Sequence, residues 1–85
     1  MITAQQMRAA RALAGIDQKT LAERAGVSLP TIQRMEASDG VVRGVVDTLM
    51  KVIRAIEESG VELIGAEQAS TGGGRGVRLK SSDQV

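Results

Sequence analysis

The chain has 85 residues, 11 Lys and Arg against 10 Asp and Glu, and no Phe, Trp, Tyr, Cys or His. That length allows one small domain with a modest buried fraction, and the core must come from Leu, Ile, Val, Met and Ala alone. Without Cys or His there is no disulfide, no thiolate metal site, and neither the commonest metal ligand nor the commonest general base. No paired-carboxylate motif or cofactor cradle replaces them, so the expectation is a non-enzyme with no cofactor and no metal. No apolar run approaches a membrane span and no signal-peptide core opens the chain, so no membrane association and a cytoplasmic location are expected. A thin aliphatic core favours added burial through dimerisation. Up to Arg54 there are eight basic residues against five acids, and beyond it three against five. This asymmetry suits a small phosphate-contacting face without requiring one.

In chain order, Thr3 and Gln6 have capping-box spacing, with Ile2 placed for a hydrophobic staple. A helix follows from about Ala4 to Ala14, ended by Gly15. Met7, Ala10 and Ala14 share its apolar stripe, with Leu13 at the edge and Arg11 on or near it. Asp17 is an N-cap for a second helix whose inward residues are Leu21, Ala22 and Ala25, and Gly26 ends it. Val27 plugs the gap to a third helix, which Ser28 caps and in which Pro30 sits harmlessly in the first turn. There Ile32 and Met35 face inward while Thr31, Gln33 and Arg34 face out. Leu29 reads as an exposed leucine with no packing role. Ala37 to Gly40 form a turn and Val41 to Gly44 a linker. A fourth helix from about Val45 to Ser59 closes the core with Val45, Leu49, Val52, Ile53 and Ile56. Met50 lies off that stripe, free for a partner subunit or simply exposed.

Residues 61–64 and 76–80 read as two short strands, with Val77 and Leu79 on one face and Arg78 and Lys80 on the other. The polar, Gly-rich stretch from Gly65 to Arg75 is expected to be a flexible hairpin loop. It lacks the Gly-Lys-Ser/Thr ending of a phosphate-binding loop. A lone hairpin is marginal in water, so it must pack on the fourth helix or pair with the hairpin of a second chain. The second arrangement also answers the thin core and is favoured. Residues 81–85 are expected to be a loose end.

The twenty residues from Gln18 to Ala37, QKTLAERAGVSLPTIQRMEA, resemble the helix-turn-helix of the phage-repressor-like (Cro/cI, or XRE) family of prokaryotic transcription regulators. The resemblance rests on Gln18, Leu21-Ala22, Ala25-Gly26-Val27-Ser28, Thr31-Ile32 and Glu36, and covers roughly residues 3 to 60. It implies a mainly α, lambda-repressor-like bundle of about four helices, here with a C-terminal β-hairpin. It also implies sequence-specific binding of double-stranded DNA by a homodimer on a palindromic operator, with helix 28–37 in the major groove. Ser28, Leu29, Pro30, Gln33 and Arg34 then fall where the family meets bases or the flanking backbone. Leu29 suits a thymine methyl or a dimer contact, Gln33 an adenine, and Arg34 a guanine or a phosphate. Pro30 departs from the polar residue usual at its place. Gln18, Lys19, Thr31 and Arg43 become candidates for phosphate contact. Arg24 fits a phosphate or a solvated surface equally. By the same resemblance, Arg11 and Glu36 form a structural ion pair between the first and third helices.

The chain is thus expected to divide into a helix-turn-helix domain over 1–60, a hairpin over 61–80 that makes the dimer, and a tail over 81–85. At a promoter such a protein represses by occupancy or activates by touching polymerase. An alternative is an antitoxin or other partner-binding module, whose protein partner (a toxin, or an antiactivator-type pairing) is held by the tail while the helix-turn-helix autoregulates.

Overall fold

The computed structural model describes residues 2–65 and 74–80. Residues 66–73 of the expected hairpin loop and the expected loose end at 81–85 lie outside the described residues. Four helices, α1 Ala4–Ala14, α2 Gln18–Ala25, α3 Leu29–Glu36 and α4 Val46–Glu58, precede an antiparallel pair, β1 Val61–Ile64 and β2 Gly76–Leu79. The fold is mainly helical, a helix-turn-helix bundle with a C-terminal hairpin.

Local chemistry sets the helix ends. The Thr3 hydroxyl accepts from the Gln6 N–H at 3.1 Å, and the Gln6 side-chain oxygen accepts from the Thr3 N–H at 2.9 Å, which closes the capping box. Asp17 and Ser28 cap α2 and α3 by accepting from the backbone N–H groups of Thr20 and Thr31. Gly15 and Gly26 end α1 and α2 at φ 72° and 70°, a left-handed conformation that favours glycine and turns the chain sharply. Helix α4 differs, because Val45 stands at its N-cap and supplies no side-chain hydrogen bond.

The core gathers Ile2, Met7, Leu21, Ile32, Val42, Val52 and Val61, all fully or almost fully buried, with Ala4, Ala10, Ala22, Ala25 and Ala55 between them. Small side chains at these positions let short helices approach closely, which an aliphatic core without aromatics requires to reach close packing. The segment after α3 is more than a linker. Val42 is buried, and residues 2–4 pair with 40–42 through Ala4 N–H to Gly40 C=O and Val42 N–H to Ile2 C=O, both 3.0 Å.

Two packing expectations are corrected. Leu29 is half-buried and packs on the core, because it begins the helical turn whose next inward residues are Ile32 and Glu36. Val45 is 71 % exposed rather than inward, since it precedes the first turn of α4 and its extended backbone does not continue the helical stripe. Leu79, in register with the buried Val61, is 58 % exposed.

The hairpin packs on its own chain, against α1 and α4. Gln6 is buried, and its amide nitrogen donates to the carbonyls of Ile64 at 3.0 Å and Gly76 at 3.1 Å. One side chain therefore caps α1 and anchors both strands. Across the outer face, Arg78 pairs with Glu62 at 3.0 Å, which holds the Glu62 carboxyl below its ordinary value and raises Arg78.

Candidate nucleic-acid interface

Helix α3 divides cleanly. Ile32, Met35 and Glu36 are buried, whereas Pro30, Gln33, Arg34 and Ala37 are exposed. The spacing i, i+3, i+4, i+7 aligns these four into one outward stripe along the helix and its C-cap. No hydrogen bond or ion pair occupies the Gln33 or Arg34 side chain among the described residues. Ser28 is exposed at the N-cap, and its hydroxyl lies 2.8 Å from that of the half-buried Thr31. These two hydroxyls are thus partly committed to each other.

The buried side of α3 is held by charge as well as packing. The Glu36 side chain is 3 % exposed and Arg11 21 %, and they meet in a two-pronged pair, Nε to Oε2 at 2.7 Å and Nη2 to Oε1 at 2.8 Å. Gln18 donates its amide to Oε1 at 3.1 Å, and Arg11 also donates to the Ile16 carbonyl at 3.3 Å. Arg8 donates to the Glu36 backbone carbonyl, a contact that no local sequence pattern announces. The Glu36 hydrogen bond raises the Arg11 pKa further above its ordinary value, against the opposing effect of burial. One cluster thus joins α1, the start of α2 and the end of α3. It also neutralises the only acid in α3, so the helix presents no negative charge outward.

Around the stripe, Lys19 in the first turn of α2 and Arg43 after α3 are exposed and unpaired among the described residues. Gln18 directs one amide N–H to Glu36. Its second N–H, and the backbone N–H groups opening α2, remain as donors for an anion. Arg24 differs from these, since it donates to the Ser59 hydroxyl at 3.0 Å beside a shallow surface cavity of about 430 Å³ that Ala55 and Glu58 also line. Among the described residues no group of His, Cys, Asp or Glu is arranged to hold a metal, and no helix is long and apolar enough to cross a membrane.

Two capped short helices at a glycine turn, the second locked inward and polar outward, define a helix-turn-helix of the DNA-binding regulator class. Residues 7–43 match a helix-turn-helix family model, which supports the resemblance of this part of the chain to the XRE, Cro/cI-like family. Helix α4 and the hairpin lie beyond the matched span. No curated protein matches the chain.

Proposed function

We propose that this protein is a sequence-specific transcription regulator that binds a roughly palindromic operator as a homodimer, with one α3 in each of two successive major grooves. The outward stripe of α3 carries this reading: it has a free guanidinium and a free carboxamide on a helix whose opposite side is buried and tied to α1 by the Arg11–Glu36 pair. Arg34 is assigned to a guanine edge and Gln33 to an adenine edge, with the half-buried Leu29 and Pro30 giving apolar contact near the helix start. Lys19, Arg43 and the start of α2 at Gln18 hold phosphates, and Ser28 and Thr31 assist at the N-cap of α3. The two half-sites then lie about 34 Å apart.

The test is titration of isotope-labelled protein with a duplex of selected sequence, followed by amide chemical shifts. The reading expects the largest shifts in α3, at the start of α2 and around Arg43. Shifts confined to α4 or the hairpin would refute it.

A further inference from the structure

Helix α4 has more apolar surface than its own core uses. Its buried residues are Leu49, Val52, Ala55 and Ile56. Beside them runs a second stripe at i, i+4, i+7: Val46, 64 % exposed, Met50, 45 % exposed, and the half-buried Ile53. Val45 adjoins it at 71 % exposure. That position is a helix N-cap, where Ser, Thr, Asp or Asn would satisfy an open N–H and valine is among the poorest choices. The sequence forgoes a cap there and presents an isopropyl group to solvent.

Charges flank this stripe with opposite sign on either side of its centre. Asp47 lies three residues before Met50 and Arg54 four residues after it, both exposed. Asp47 has only a loose 3.4 Å pairing with Lys51, its side chain 77 % exposed, and Arg54 has no ion pair among the described residues.

We propose that this face docks on the same face of a second copy of the chain, with the two α4 helices antiparallel and Met50 beside the two-fold axis. Charge selects the occupant and the orientation. A two-fold contact brings identical patches together. Asp47 and Arg54 lie on one flank of the stripe, so parallel helices related by a two-fold along their axes would put these residues of the two copies on opposite edges of the seam and bring no Asp47 to an Arg54. Antiparallel helices set each Asp47 opposite the other copy's Arg54, twice per dimer, around an apolar centre formed by Val46, Met50 and Ile53. This gives the homodimer proposed above its contact, and it places that contact on α4 rather than on the hairpin.

Sedimentation of the full chain without DNA tests this independently of DNA binding, over low-micromolar to millimolar protein. The expected result is a reversible dimer that Met50→Lys converts to monomer, with a thermal melt unchanged at protein concentrations where the wild type is itself monomeric. Asp47→Arg and Arg54→Asp should each weaken association about tenfold, and the double variant should restore it. Val45→Ser should raise the melting midpoint while weakening the dimer. A chain that stays monomeric at millimolar concentration overturns the proposal, and so does a dimer indifferent to Met50→Lys and to the charge exchange. Should Met50→Lys not fold, the exchange and its restoration decide alone. Failure of DNA binding by a dimer of this kind would count against the operator reading and leave the interface standing.

Discussion

Replacing Glu36 by alanine removes the acceptor for three donors at once: Nε and Nη2 of Arg11 at 2.7 and 2.8 Å, and the Gln18 amide at 3.1 Å. Without the pair Arg11 still keeps its charge at all ordinary pH, as a guanidinium does in proteins, and it would be left with the Ile16 carbonyl. Breaking a buried pair by removing one partner costs about 3–5 kcal/mol. Arg11 retains 21 % exposure, so water recovers part of the loss and about 2–4 kcal/mol is expected. In a domain whose whole stability is roughly 5–15 kcal/mol this is a large share, and it corresponds to a melting point lower by roughly 10–25 °C. Urea denaturation of wild type, Glu36→Ala, Arg11→Met and the double variant gives the coupling directly. The double variant should lose about 2 kcal/mol less than the sum of the single ones, because neither charge is then left without its partner. A loss below about 1 kcal/mol for Glu36→Ala, with the fold intact, would refute the structural role of the pair.

Arg34→Ala should lower affinity for a selected operator by about 1–3 kcal/mol in a fluorescence-anisotropy titration, while stability stays within about 0.5 kcal/mol of wild type. Lys19→Ala and Arg43→Ala should each reduce the log–log salt slope of binding by about 1 and weaken all duplexes alike, as loss of a phosphate contact requires. Asp17 is held below its ordinary 3.8 by the Thr20 N–H and Glu62 below 4.5 by Arg78. Their stabilisation is therefore complete above those ordinary values and is lost as pH falls through the lower folded ones. Denaturant midpoints measured from pH 6 down to 2 should drop in the acid part, less steeply in Asp17→Asn and Glu62→Gln; equal steepness in all three would contradict the assignment. Gln6→Ala removes the donor to Ile64 and Gly76, so hydrogen exchange at the Lys80 amide, bonded to the Gly60 carbonyl at 2.9 Å, should accelerate relative to the centre of α3.

What was legible in the sequence was whatever local chemistry determines. Thr3 with Gln6, Asp17, Ser28 and the glycines at 15 and 26 announce helix ends because capping and left-handed turns depend on residues a few positions apart. The outward stripe of α3 was readable for the same reason, as spacing alone sorts Gln33 and Arg34 from Ile32 and Met35. Contacts distant in sequence were not readable. Nothing local to Gln6 says that its amide reaches strands some 58 and 70 positions away, nor that Arg8 meets a carbonyl on α3. Val42 reads as part of a linker because its partners at 2–4 are remote in sequence, and Val45 reads as inward because it continues the apolar spacing of α4 one residue before the helix begins. The hairpin matters more to the monomer than its length suggests. Val61 belongs to the core and both strands bond to Gln6, so truncation before β2 would disturb the fold along with any interface.

Whether the exposed stripe of α3 reads DNA sequence is decided by selecting the purified protein against random duplex DNA at moderate salt and sequencing what is retained. A two-fold-symmetric site with half-sites about one helical turn apart should be enriched, and that enrichment should be lost when Arg34→Ala protein is selected in parallel. Folded wild-type protein that enriches no sequence above background would contradict sequence reading by α3.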